Sequence, residues 1–215
     1  MFSDRKRRQA IIDSMRELER LGLNSGTAGN ISTKNDDTIL ITPSSVPSIY
    51  LKKVSIVAIK NGIIESKKNP STEYRLHKDI YDVYPEISSV VHCHSPFAVA
   101  VACQAKPIPA FHYMIAAFGG DSIPCANYAT FGTQELSDFV VGTLKGISAC
   151  LIANHGQVAV GTSLKDAMRK ALLVEELCKQ FLLSKTLGSP TLLSQTEMQK
   201  VKDKFISYGK YNEEQ

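Results

Sequence analysis

The chain has 215 residues, a net charge of +4, 43% apolar and 21% charged residues, which is the make-up of a soluble globular protein and excludes a disordered or strongly polybasic one. At this length a single domain over residues 1–215 is expected, burying roughly 70% of the surface its unfolded chain exposes. No apolar run approaches the 18 or so residues of a membrane span and no signal-peptide core opens the chain, so a cytoplasmic protein with no membrane partner is expected.

In chain order, Ile11, Ile12, Met15, Leu18 and Leu21 form one helical stripe, which predicts a helix from about Asp4 to Leu21 stopped at Gly22. Arg5-Lys6-Arg7-Arg8 then reads as the solvated end of that helix. Without aromatic-basic interleaving, no nucleic-acid partner is expected. A glycine- and hydroxyl-rich loop follows, Ser25-Gly26-Thr27-Ala28-Gly29-Asn30. Strands are predicted over Thr38–Thr42, Ser55–Lys60 and Ile63–Glu65, the last two joined by the hairpin dipeptide Asn61-Gly62. A helix over Ser71–Tyr84 precedes a strand through Val90-Val91-His92-Cys93-His94. Ser95-Pro96 then opens a helix to about Gln104. Helix over Thr133–Lys145, strand-turn-strand over Cys150–Gly161, a long helix from Ser163 to before Gly188 and a last one from Ser194 to Gly209 complete the pattern. Strands joined partly by hairpins and partly by helices imply an α/β fold. The architecture expected is a three-layer α/β/α sandwich around a mixed, largely antiparallel sheet.

His92 and His94 stand at i and i+2 of a strand, so both imidazoles project from one face, an arrangement suited to Zn²⁺. By itself the pair is a weak signal. His155, at the end of the apolar run Leu151-Ile152-Ala153, offers a third imidazole, whereas Cys93 should point to the opposite face. The five cysteines form no C-x-x-C pair and read as reduced, buried residues. Three hydroxyl-rich turns could bind an anion: Gly26–Asn30, Thr42-Pro43-Ser44-Ser45 and Pro70-Ser71-Thr72, the third at a helix start. Glu73 follows directly and could serve as a further ligand or as a base. His77 and His112 lack ligand-like spacing and read as structural or surface residues, and the glycines and aromatics crowded into Phe111–Thr133 read either as a functional loop or as ordinary core aromatics.

Together these motifs resemble the class II aldolase/adducin family. Leu21–Asn24 with Gly26–Asn30 is similar to its phosphate loop, Ser71-Thr72-Glu73 to its catalytic glutamate motif, and His92, His94 and His155 to its zinc ligands. His112–Ala117, Ser122–Ala126 and Tyr128–Thr133 resemble the fuculose-phosphate branch in particular. The family usually carries glycine where Ser45 stands, and serine is less comfortable at a positive φ. Asn154 stands where a histidine is common.

The resemblance implies reversible cleavage of a phosphorylated ketose, L-fuculose 1-phosphate, to dihydroxyacetone phosphate and L-lactaldehyde. It implies a Zn²⁺ cofactor on His92, His94 and His155 with Glu73 as fourth ligand, and Glu73 and Tyr113 as the catalytic pair. Gly29, Asn30, Thr42, Ser44, Ser45, Ser71, Thr72, Phe131 and Tyr208 would bind substrate. A homotetramer is implied, with active sites at subunit interfaces and Tyr113 supplied by a neighbouring subunit. Residues from about 209 to 215 would form a mobile tail. A 5-deoxypentulose-phosphate aldolase, a pentulose-phosphate 4-epimerase and a methylthioribulose-phosphate dehydratase are the rival enzymes of this fold. An adducin-like scaffold is the non-catalytic rival, and it has no use for the three histidines, Glu73 and the hydroxyl turns together.

Overall fold

One eight-stranded sheet organises the molecule in a computed structural model that describes residues 2–207. The strands are β1 (Asn30–Asn35), β2 (Thr38–Ile41), β3 (Val57–Lys60), β4 (Ile63–Ile64), β5 (Ser89–Cys93), β6 (Cys125–Ala126), β7 (Ala149–Ile152) and β8 (Gly156–Gly161). Their order is β4-β3-β2-β1-β5-β8-β7-β6, antiparallel throughout except for the parallel β6–β7 pair. The helices are α1 (Phe2–Arg20), α2 (Tyr74–Val83), α3 (Pro96–Ala102), α4 (Gln134–Thr143), α5 (Leu164–Thr186) and α6 (Gln195–Ser207).

Period-2 alternation sends successive strand residues into two separate cores. Ile31, Leu40, Val91, Cys93 and Ala159 pack under α1, α3 and α5. Ile39, Ile41, Val90, Val158 and Val160 pack under α2 and α4. The three-layer sandwich expected from the sequence is therefore the observed one, and Cys93 does point away from the face of His92. No helix of the described residues is long and apolar enough to cross a membrane.

Local signals placed most elements. Ser163 Oγ accepts from the Asp166 N–H at the start of α5, Thr133 Oγ1 does the same for Leu136 in α4, and Pro96 is the first residue of α3. Four readings need correction. β1 was absent from the sequence reading because Asn30-Ile31-Ser32-Thr33 buries polar side chains, so no apolar alternation betrays it. Helix α2 begins at Tyr74, three residues later than expected, because Ser71–Glu73 form a turn in which Ser71 Oγ accepts from the Glu73 N–H. The basic cluster of α1 is only half solvated. Arg7 donates to the carbonyls of Thr33 and Thr38, and Arg8 to those of Lys53 and Ile56, which ties the helix to the sheet. Of the five cysteines, Cys103 is exposed at the end of α3 rather than buried.

Candidate active site

One strand and one turn bring the histidines together. β5 carries His92 and the residue beyond its end is His94, while the tight turn between β7 and β8 carries His155. Asn154 occupies the left-handed region in that turn (φ 56°), which asparagine tolerates better than most residues. The three rings lie 4.8–4.9 Å apart centroid to centroid, each edge-on to the others, and their ligand nitrogens fall within 4.8 Å of one another.

Backbone contacts set the direction of these rings. His92 Nδ1 lies 2.9 Å from the Gln157 carbonyl oxygen, which can only accept, so Nδ1 carries a proton and Nε2 is turned toward the other histidines. Asn24 Oδ1 accepts from the His94 N–H at 3.0 Å and fixes the end of the strand. Gly29 lies against the same corner with φ 69°, and a Cβ there would stand 2.4 Å from Asn24 Nδ2 and 2.7 Å from the His92 carbonyl oxygen. Only glycine fits that approach.

Glu73 closes the group. Its Oε2 lies 3.2 Å from His92 Nε2 and accepts from Asn30 Nδ2 at 2.8 Å, while Oε1 lies 3.5 Å from His155 Nε2. Oε1 is buried with no hydrogen-bond partner. Burial alone would raise this carboxyl, but His92, His155 and the Asn30 amide hold it well below the usual carboxylate range, so it is ionised. Burial and the neighbouring His92 push His94 and His155 down to about 4 each, so both are neutral near pH 7. Burial also opposes charge on His92, yet the Glu73 carboxylate raises it above the ordinary imidazole value. Positive charge is thus favoured where the four groups converge. Three imidazole nitrogens and an orphaned carboxylate oxygen fit a divalent cation of the zinc type.

A cleft of about 430 Å³ opens in front of this cluster. Thr27, Ala28, Gly29 and Asn30 line it from the first loop, Pro43, Ser44 and Ser45 from the second, and Ser71, Thr72 and Glu73 from the third. Among the described residues, none of those lining it is Lys or Arg, so an anion would be held by hydroxyls and backbone N–H groups. Ser45 sits at φ 58°, the left-handed conformation that glycine would adopt without strain. Tyr128, Phe131 and Asn154 form the rim, with Tyr128 and Phe131 both more than half exposed.

Not every residue singled out from the sequence lines the cleft. Thr42 is buried beneath it, its Oγ1 accepting from the Ile31 N–H. The Asn30 amide is taken up by Glu73 and His77. Tyr113 begins a 3₁₀ turn over Tyr113–Phe118, is 50% exposed and lies outside the lining of its own chain's cleft. Tyr208 and the tail from about 209 lie outside the described residues. Gln157 and His77 escaped the sequence reading as site residues, because they act through other residues and carry no ligand spacing of their own, and Asn24, read as part of the phosphate loop, instead fixes the backbone of His94.

Residues 9–182 match the family model described as the class II aldolase and adducin N-terminal domain. The chain belongs to this family. It is 46% identical to L-fuculose phosphate aldolase of Escherichia coli O6:H1, over 93% of this chain and 94% of that one. It is 44% identical to 5-methylthioribulose-1-phosphate/5-deoxyribulose-1-phosphate aldolase of Rhodospirillum rubrum, over 94% and 92% of the two chains. Among solved structures, an L-fuculose 1-phosphate aldolase superposes with a TM-score of 0.90 at 34% identity, covering 94% of this chain and 96% of that one.

Proposed function

We propose that the protein is a zinc-dependent aldolase that reversibly cleaves L-fuculose 1-phosphate to dihydroxyacetone phosphate and L-lactaldehyde. One observation carries the reading: an ionised, buried Glu73 carboxylate with one unpartnered oxygen stands among three convergent imidazoles at the back of a hydroxyl-lined cleft. Breaking the C3–C4 bond of a ketose 1-phosphate leaves negative charge on the three-carbon fragment. Zn²⁺ held by His92, His94 and His155, with Glu73 as fourth ligand before substrate arrives, would act as a Lewis acid toward that charge.

The chain's own groups supply positioning and proton transfer. Ser44, Ser45, Ser71 and Thr72, with Gly29 and Asn30 at the inner edge, hold the phosphate, while Thr42 supports the wall from below. In the synthetic direction Glu73 takes a proton from the carbon of dihydroxyacetone phosphate that becomes the nucleophile, and in cleavage it returns that proton. Tyr113 of the partner subunit protonates the new alkoxide oxygen, its position outside its own cleft supporting donation to another copy in a cyclic homotetramer. Phe131 lines the aldehyde side of the rim.

A second substrate has support from the relatives, whose names divide at nearly equal identity. Cleaving 5-deoxyribulose 1-phosphate gives the same dihydroxyacetone phosphate with acetaldehyde, an aldehyde shorter by one CHOH unit. The rim formed by Tyr128 and Phe131 would have to sense that hydroxyl. Dihydroxyacetone phosphate release should therefore be measured from L-fuculose 1-phosphate, 5-deoxyribulose 1-phosphate and L-ribulose 1-phosphate, before and after chelation. Release fastest from the first and abolished by chelation is expected. Faster release from the second would reassign the substrate, and none from any zinc-loaded reaction would overturn the aldolase reading.

A further inference from the structure

Behind the cleft, five side chains from two elements interleave. On β1, Asn30 and Ser32 stand at i and i+2, facing the same way as His92 and Val90, with which they pair in register. Along α2, Glu73 at its N-terminal cap, His77 and Tyr81 follow at i, i+4 and i+8 on one helix face. The strand period and the helix period mesh, so the two rows alternate like teeth. Glu73 Oε2 meets Asn30 Nδ2 at 2.8 Å, Asn30 Oδ1 meets His77 Nε2 at 2.5 Å, His77 Nδ1 meets Ser32 Oγ at 2.7 Å, and Ser32 Oγ meets Tyr81 OH at 2.7 Å. All five residues are buried, Ser32 and His77 completely.

Hydrogen-bond accounting gives this row a single direction. An ionised carboxylate only accepts, so the Asn30 amide must turn its nitrogen to Glu73 and its oxygen to His77. That oxygen only accepts as well, so His77 carries its proton on Nε2. Burial, with the nearby His92, pushes His77 down to about 3 against the pull of Glu73, so the ring is neutral and its Nδ1 accepts from the Ser32 hydroxyl. Ser32, its proton committed, accepts from Tyr81. Every bond therefore donates toward Glu73.

We propose that His77 is a positioning residue for Glu73: through Asn30 it locks the carboxylate by Oε2 and leaves Oε1 free of protein donors. This rests on the reading of Glu73 as the base. In a buried row with no solvent to substitute, a wrong tautomer or a missing donor leaves the Asn30 amide free to turn its oxygen onto the carboxylate, where two acceptors repel. Turnover would suffer, whereas the phosphate contacts of Ser44, Ser45, Ser71 and Thr72, none of which belongs to this row, would not.

The test pairs two substitutions of similar size in the full zinc-loaded protein. In His77→Gln the amide nitrogen can occupy the place of Nε2 and still donate to Asn30. In His77→Asn it falls near Nδ1 and leaves the Asn30 oxygen unpartnered. His77→Asn is expected to lose about 10- to 100-fold in kcat with KM and zinc content near wild type, and His77→Gln to stay close to wild type. Equal losses in the two variants, or a loss confined to KM or zinc content, would overturn the proposal.

Nitrogen-15 spectra of histidine-labelled protein give a readout independent of turnover and of both substitutions. The His77 signals, picked out by their shift in Ser32→Ala, should show a protonated Nε2 and a bare Nδ1. A proton on Nδ1 would overturn the proposal even if both His77 variants misfold. A wild-type protein that cleaves no ketose phosphate would count against the aldolase reading alone, and the nitrogen spectrum would still decide the direction of the row.

Discussion

The two walls of the cleft are built on opposite physical terms. The inner wall, Glu73 and Asn30 with His92 and His77 behind them, is buried on the sheet, and nearly every polar atom there has a partner and one possible orientation. The outer wall of Thr27, Ser44, Ser45 and Thr72 is partly or fully exposed. Groups that must hold one protonation state are kept away from water, while groups that exchange water for a ligand are left in contact with it. The contrast suggests that the inner wall sets the reaction and that the rim and outer wall set the substrate.

Glu73→Gln strikes the inner wall most directly. It should reduce kcat by roughly 10³-fold while zinc content, read by elemental analysis, stays near one per chain, since a base is lost and a neutral ligand remains possible. Wild-type turnover would assign the base elsewhere. Tyr113→Phe should reduce carbon–carbon cleavage by about 10²-fold with fold and zinc content intact. Unchanged cleavage kinetics would remove Tyr113 from the proton-donor role.

Two substitutions at positive φ separate the walls by stability. Gly29→Ala drives a Cβ into Asn24 and the His92 carbonyl and should destabilise by about 2–3 kcal/mol in urea unfolding. A change below that obtained on the outer wall would mean the corner is soft. There, Ser45→Gly relieves left-handed strain in an exposed turn at the expense of chain entropy, so a gain of no more than about 1 kcal/mol is expected.

Acid should act on the inner wall with a defined sign. His94 and His155 are held near 4 and His77 near 3, against about 6.5 in the unfolded chain. As pH falls below about 6.5 the unfolded chain takes up protons first, so the stability of the metal-free protein, complete above that value, should decline toward pH 4. His92, raised by Glu73, works the other way but is one group against three. Urea midpoints of chelator-treated protein that stay constant from pH 7 to pH 5 would contradict this balance.

Much of the site was legible from local chemistry. His-x-His on a strand implies two rings on one face whatever surrounds them, and Asn-Gly between apolar runs implies a hairpin, here with Asn61 and Gly62 both at positive φ. The strain at Ser45 is equally local: a turn that needs a left-handed residue needs it regardless of packing. What stayed hidden was polar and long-range. Strand β1 looked like loop because its inward positions are Asn30 and Ser32, and those residues are inward only because α2 supplies His77 and Tyr81 to meet them. His77 itself carries no ligand spacing, and its tautomer is dictated by an amide 47 positions away in sequence.

By itself, then, the sequence determined the element types other than β1, the separation of Cys93 from the histidines, and the ligand chemistry. Each follows from backbone periodicity or from the donor atoms of one residue. Only the tertiary structure decided that His155 joins the pair on β5, that Glu73 is ionised with one oxygen unpartnered, and that Thr42 lies below the cleft. It also decided that Arg7 and Arg8 clamp a helix to the sheet instead of facing water. These outcomes depend on burial and on partners far away along the chain, and both exist only once the sheet has brought β1, β5 and β8 side by side.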